Sequence, residues 1–224
     1  MSEDFYGNES LFYEKFYNEV ICDSGIGAIA VRKTHKNLES SVTHNFYDKC
    51  LEVGAGSGEH LKFVLHGFNE YVCLDIRETK INSQFASDVR VKSVVADASN
   101  IPYPNNYFDR VLMNCVLHHV KDPEQVLSEL FRVLKSGGEA NLFVSCDPSM
   151  LVRLLRKITV ARKSQKLGFQ GYDLMIAREH RNHFPSLLQL LKYQFRDCKI
   201  KIKYFPLYFR VWNINAYVIV KCTK

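Results

Sequence analysis

The chain has 224 residues, enough for one domain with a full core. Hydrophobic residues make up 46% and charged residues 24%, and no apolar run reaches the ~18 residues that span a bilayer. The net charge of +6 is modest and uneven: residues 151–167 carry six Lys or Arg and no acid, so the remainder is close to neutral.

Residues 1–46 are helical in tendency and carry Phe5, Tyr6, Phe12, Tyr13, Phe16 and Tyr17. They predict a helical cap over the sheet edge. The opening MSEDFYGNES is acidic and polar and does not read as a signal peptide. From residue 48 to 146, apolar runs at 48–53, 70–75, 91–97, 108–114 and 139–146 alternate with helical patterns. Each run is short and rich in Val, Leu or Phe, as buried parallel strands are. The clearest helix is 123–135. Asp122 is its N-cap, Pro123 its first residue and Gln125 completes a capping box, with Gly137 and Gly138 ending it. Strands alternating with helices predict a parallel sheet with right-handed crossovers. Residues 147–181 form a basic insertion with weak strand signals. Residues 199–204 alternate strictly, and 213–221 form a last strand. The fold class expected is therefore α/β: a Rossmann-like, doubly wound, seven-stranded sheet, mostly parallel, with an antiparallel last strand. One domain spans 1–224, with a cap at 1–46, a cofactor-binding core at 47–146 and an acceptor-side insertion with closing strands at 147–224. Seven cysteines, an odd number without C-x-x-C spacing, read as buried reduced thiols of a cytoplasmic protein.

Three signals carry chemistry. Leu51-Glu52-Val53-Gly54-Ala55-Gly56-Ser57-Gly58 is a strand running into a glycine turn with a helix opening after it. Glycines permit the turn and a close backbone approach to a ligand, and their spacing departs from that of dinucleotide sites. Asp75 ends the next strand, where a carboxylate accepts hydrogen bonds from two ribose hydroxyls. Asp97 ends the third strand. It can accept from an exocyclic adenine amine while the Ala98 amide donates to a ring nitrogen.

The order E-V-G-A-G-S-G, L-D, A-D-A, F-D-R-V-L-M-N and L-K-S-G-G resembles class I S-adenosylmethionine-dependent methyltransferases of the type 11-like group from about residue 48 to 146. The resemblance implies that Gly54, Ala55, Gly56 and Gly58 line the amino-acid part of S-adenosylmethionine and that Glu52 orients the turn and the ligand amine. Asp75 would hold the ribose, Ile76 would pack on the adenine, and Asp97 and Ala98 would read its edge. Asn114 would offer its carbonyl to the cofactor ammonium. The product would be S-adenosylhomocysteine. Tyr13, Arg32 and His35 remain open as contacts to the cofactor carboxylate.

After the fourth strand comes Asn114-Cys115-Val116-Leu117-His118-His119. It lacks the N-P-P-Y of amide and adenine methyltransferases and the metal-binding acids of catechol-type enzymes, so no metal is expected. His118 or His119 can take a hydroxyl proton, with Asp147 orienting the imidazole. His180, Arg181 and His183 sit in a polar cluster before an apolar stripe and are candidate substrate contacts. The basic segment 151–167 reads as a solvated face, a phosphate-attracting surface of an acceptor or lipid carrier, or a peripheral membrane contact. Nucleic acid is not expected, since no aromatic stacking pattern accompanies the charges. From residue 147, the run of CDP, basic stretch, EHRNHF and YFP resembles methyltransferases among surface-polysaccharide biosynthesis proteins. That resemblance implies O-methylation of a small-molecule or glycan hydroxyl. C- or N-methylation of another metabolite such as a quinone-like ring, and an idle cofactor-binding protein, are the alternatives.

Overall fold

A computed structural model describes Phe12, Phe16 and residues 25–224 of the chain. Strands β1 (Phe46–Val53), β2 (Gly67–Asp75), β3 (Val91–Val95), β4 (Phe108–Met113) and β5 (Leu134–Ser145) pair in parallel. β7 (Tyr217–Thr223) lies between β5 and β6 (Lys199–Phe205) and is antiparallel to both. The seven-stranded order is β3-β2-β1-β4-β5-β7-β6. The sheet is mostly parallel and Rossmann-like, with the antiparallel strand that the sequence led us to expect. The order reverses between β1 and β4. The connections that leave their carboxyl ends run to opposite faces of the sheet, and the crevice between them is the position where such sheets hold ligands.

Side chains alternate across the sheet, so each strand feeds two cores. On one face Val53, Leu74, Met113 and Leu142 pack with Leu127 and Leu130 of α2 (Pro123–Val133) and Leu187 and Leu191 of α6 (Phe184–Gln194). The other face places Cys50, Tyr71, Cys73 and Phe143 against Leu38 of α1 (Gly25–Glu39) and Leu61 of a 3-10 turn, Glu59–Phe63. Each large aliphatic side chain so buried contributes about 1.5–3 kcal/mol. Burial pushes the thiols of Cys50 and Cys146 up to about 12, so they are inert parts of the core.

The second face also holds a polar layer. Arg110 of β4 is fully buried, and its two terminal nitrogens donate to Glu39 at 3.2 and 2.9 Å. His60 meets the same carboxylate at 3.0 Å, and His66 meets Arg110. Nε of Arg110 donates to Asn141 at 2.9 Å, and beside it Lys221 pairs with Glu139 at 2.7 Å. A buried charge is tolerated only when so partnered.

Several local expectations change. Asp122 caps α2 by accepting from the Gln125 amide at 3.0 Å, but the Gln125 side chain donates to the Ser99 carbonyl instead of returning to the cap. α2 stops at Val133 and the chain enters β5 at once, so Gly137 and Gly138 lie within that strand and do not end the helix. The glycine turn opens onto the short 3-10 turn in place of an α-helix. The basic insertion forms α3 (Met150–Ile158), α4 (Val160–Lys166) and α5 (Tyr172–Glu179). Phe12 and Phe16 pack on Phe169, and Phe12 on Tyr172 as well. They meet the insertion, not the sheet edge. Among the described residues no helix is long and apolar enough to cross a membrane.

Candidate active site

The glycine turn leaves β1 in the left-handed region: φ is 71° at Gly54, 53° at Gly56 and 76° at Gly58. A side chain is disfavoured there for backbone reasons alone. At Gly54 it is also excluded by space, since a Cβ would sit 2.1 Å from Val116 Cγ2 in the loop after β4. Gly56 differs: a Cβ there meets nothing within 4 Å, so its outer side is an open cradle. The turn is pinned from β2. Gly54 and Ala55 amides donate to the Leu74 carbonyl at 2.7 and 3.1 Å, and the Gly56 amide donates to Asp75 Oδ2 at 2.9 Å. Thr79 donates to the Gly56 carbonyl at 2.6 Å.

Asp75 therefore positions the turn. Its other oxygen accepts from the Arg77 amide at 3.0 Å, and each oxygen retains a lone pair for a ligand hydroxyl. Ile76 beside it is 65% exposed, an apolar surface waiting at a strand end. Asp97 lies just past β3 and accepts from the Ser99 amide and hydroxyl, both on Oδ1. Those bonds hold its carboxyl below the usual range. Ala98 follows, half-buried. The open cradle, an acid with acceptor capacity left on both oxygens and the exposed apolar residue fit the cofactor that the sequence resemblance implies.

Two expected residues also make bonds within the protein. Glu52 is buried and accepts from the Tyr71 hydroxyl at 2.8 Å, and burial pushes its pKa up. The bonds that orient the turn come from Asp75, Leu74 and Thr79 instead. The Asn114 side-chain amide meets the His35 ring at 3.1 Å, which ties α1 to the end of β4. Tyr13 lies outside the described residues.

A second group stands on the other side of the crevice. The rings of His118 and His119 have centroids 4.2 Å apart, and His180 lies 4.6 and 4.7 Å from them. One nitrogen from each lies within 4.8 Å of the others. Among the described residues, Nδ1 of His118 and Nδ1 of His119 are buried without a hydrogen-bond partner. Burial, reinforced by the neighbouring His119, His180 and Arg156, pushes His118 well below its ordinary pKa. Burial likewise lowers His119 to about 3. Both rings are thus neutral at pH 7 and weak proton acceptors.

The orienting pair is not the one the sequence suggested. Asp147 meets His180 Nδ1 at 2.6 Å and Arg156 at 2.5 Å, and not His118 or His119. Burial raises the Asp147 pKa, but these bonds outweigh it and hold the carboxyl at about 2. The charged Asp147 fixes the ring of His180 and leaves its other nitrogen available.

His180 and Asp147 line an open cleft of about 740 Å³, together with Arg153, Arg156, Lys157 and His183. Arg181 does not line it, because its Nε donates to the Arg178 carbonyl at 2.6 Å. Asn182, in the same polar cluster, donates to the Val120 carbonyl at 2.6 Å and so braces the loop bearing the two histidines. Arg156 was legible only as one cation of a basic run. Its pairing with Asp147 comes from the fold of the insertion.

A family model described as a methyltransferase domain matches residues 51–142. The chain is 30% identical over 169 residues to an uncharacterised protein of Methanocaldococcus jannaschii, covering 75% of this chain and 72% of that one. It is 33% identical over 148 residues to the demethylmenaquinone methyltransferase of Clavibacter sepedonicus, covering 64% and 52% respectively. This chain spans 41–52% of that and two further curated methyltransferases. Among solved structures, the Burkholderia thailandensis 1,6-didemethyltoxoflavin-N1-methyltransferase, with S-adenosylhomocysteine bound, has a TM-score of 0.63 at 16% identity, over 96% of this chain and 84% of that one.

Proposed function

This chain belongs to the class I S-adenosylmethionine-dependent methyltransferases, and from that premise we propose that it methylates a hydroxyl of a small molecule held in the basic cleft, with a sugar or surface glycan as the first-choice acceptor. The observation that carries this reading is the 2.6 Å pairing of Asp147 with His180 on the cleft wall. S-adenosylmethionine, when bound, supplies a methyl group already activated on sulfur. The protein's residues then have to align the acceptor and remove its proton.

In this reading the segment 47–146 holds the cofactor and 147–224 the acceptor, with 1–46 as the cap. Gly54, Ala55, Gly56 and Gly58 lie along the amino-acid part, Asp75 takes the ribose and Ile76 lies on the adenine. Asp97 and Ala98 face the adenine edge, and Asn114 faces the ammonium. His180 takes the hydroxyl proton, and Asp147 stabilises the imidazolium that results. His118 and His119 shape the pocket as neutral rings behind it. Arg153, Arg156 and Lys157 favour an acceptor bearing phosphate or another anion. Nucleic acid is not the acceptor in this reading, and the setting is cytoplasmic.

A second reading, transfer to carbon or nitrogen of a quinone-like ring, is supported by the likeness to the demethylmenaquinone methyltransferase. Removal of a proton from a ring hydroxyl would activate the adjacent carbon, so the same dyad serves it. The deciding experiment incubates the purified chain and labelled cofactor with sugar phosphates, a lipid-linked glycan and a reduced quinone. Label on a sugar oxygen, lost in His180→Ala, supports the first reading. Label on a ring atom replaces it with the second.

A further inference from the structure

The apolar surface left uncovered beside the cleft calls for a partner. α3 buries none of its residues, and Met150, Leu154, Leu155 and Ile158 are 36–63% exposed. At helical spacing Met150, Leu154 and Ile158 share one stripe. Arg153 and Lys157 flank that stripe, and Arg156 lies across the helix from it. Next to it stands the loop between β6 and β7, where Leu207, Tyr208, Phe209 and Val211 are 46–69% exposed, with Arg210 among them.

The loop is built to hold that posture. Asn215 is fully buried, and its side chain accepts from the Leu207 amide at 3.0 Å and donates to the carbonyls of Phe209 and Val211 at 2.9 and 2.8 Å. The loop is also fastened to α3. Ser149 donates to the Asn215 carbonyl at 2.8 Å, and the Met150 amide donates to Asn213 at 2.9 Å. A buried amide thus splints large apolar side chains outward. An exposed apolar patch of this kind marks an interaction face.

Its surroundings are cationic. Arg162, Lys163 and Lys166 continue the basic run in α4, and β6, which leads into the loop, exposes Lys199, Lys201 and Lys203. Apolar side chains rimmed by Lys and Arg, with no acid between residues 151 and 167, match the interfacial zone of an anionic bilayer.

We propose that α3 and the β6–β7 loop form one face by which this protein rests on an anionic lipid bilayer, with the apolar side chains in the interface and the cations over the headgroups. The cleft shares Met150, Leu154 and Arg153 with this face. On the methyltransferase reading of the cleft, the acceptor is therefore lipid-borne.

The test is flotation of the full chain with vesicles of phosphatidylcholine and phosphatidylglycerol in equal parts, against phosphatidylcholine alone. Binding is expected only to the anionic vesicles, weakening as salt rises. Tyr208→Ser with Phe209→Ser should cut it by roughly tenfold or more. Both side chains are mostly exposed, with one edge contact from Tyr208 to Phe205, so the cofactor affinity should match the parent and the melting temperature should fall only slightly. Failure to float with anionic vesicles at low salt, or equal flotation of the variant, overturns the proposal. So does a concentration-dependent dimer, in sedimentation velocity, that the same variant abolishes, because the face then serves a second copy. Flotation does not read methyl transfer, so the acceptor assignment can fail while the membrane face stands.

Discussion

Gly56 and Gly137 offer a matched pair of substitutions. Both have positive φ, 53° and 78°, and at both a Cβ meets nothing within 4 Å. Alanine at either should therefore cost only the left-handed backbone penalty, about 1–2 kcal/mol of folding stability. In a chain this long that lowers the melting temperature by roughly 2–8 °C. The positions differ in what the open side faces. At Gly137 it is solvent at the far end of β5. At Gly56 it is the proposed seat of the cofactor. A methyl group forced into a filled site costs about 1–3 kcal/mol, which is roughly a 5- to 150-fold loss of affinity. Titration calorimetry with S-adenosylmethionine and S-adenosylhomocysteine, beside scanning calorimetry, separates the two effects. Gly56→Ala should lose both affinity and a little stability, and Gly137→Ala stability alone. If Gly56→Ala binds as tightly as Gly137→Ala, the cofactor does not lie against the turn.

Other outcomes follow from the buried groups. Glu39→Gln removes the counter-charge of Arg110 and should destabilise the fold by about 3–5 kcal/mol, measured by urea unfolding. Burial raises the Glu39 pKa, but the bonds from His60 and Arg110 outweigh it and bring the carboxyl from 4.5 to about 2. A depressed native pKa gives stability that is present above pH ~4.5 and lost as pH falls towards ~2, a difference of about 3 kcal/mol. The parent should show that acid slope, and Glu39→Gln should be flatter over the same range. Asp147→Asn and His180→Ala should each slow turnover by about 10²-fold or more with cofactor affinity unchanged, and the double variant should be little slower than either. Independent, multiplying losses would show that the two do not act as one unit. Treatment with EDTA should leave the rate unchanged. A loss that zinc restores would instead put a metal on His118, His119 and His180.

The cofactor side of the crevice was legible because each part is local in sequence. The glycine turn, Asp75 and Asp97 each follow a strand whose apolar run is plain, and parallel strands bring their ends to one edge. The acceptor side was not, because it is assembled from residues 118, 119, 147, 156 and 180, which lie on separate segments. Histidine after β4 and an acid after β5 looked like partners by strand adjacency. The fold of α3 to α5 brings His180 in between, and Arg156 completes the set. Arg110 was invisible for another reason. A charged residue within an apolar strand reads as an edge or solvent position, and only tertiary pairing with Glu39 makes it a core residue. The 3-10 turn after Gly58 and the direct passage from α2 into β5 show packing overriding local helix signals.

The Glu39–Arg110 pair also sets where this chain can be cut. Residues 47–146 look self-sufficient, a run of strands and crossovers with its own glycine turn. Yet the arginine at the heart of its sheet is neutralised from α1, and the same layer continues to Lys221 near the opposite terminus through Asn141 and Glu139. A fragment beginning after residue 39 would carry an orphaned guanidinium in its interior. The smallest autonomous unit therefore starts no later than Gly25 and runs through β7. Grafting the cofactor half onto another protein would require that the recipient supply a carboxylate.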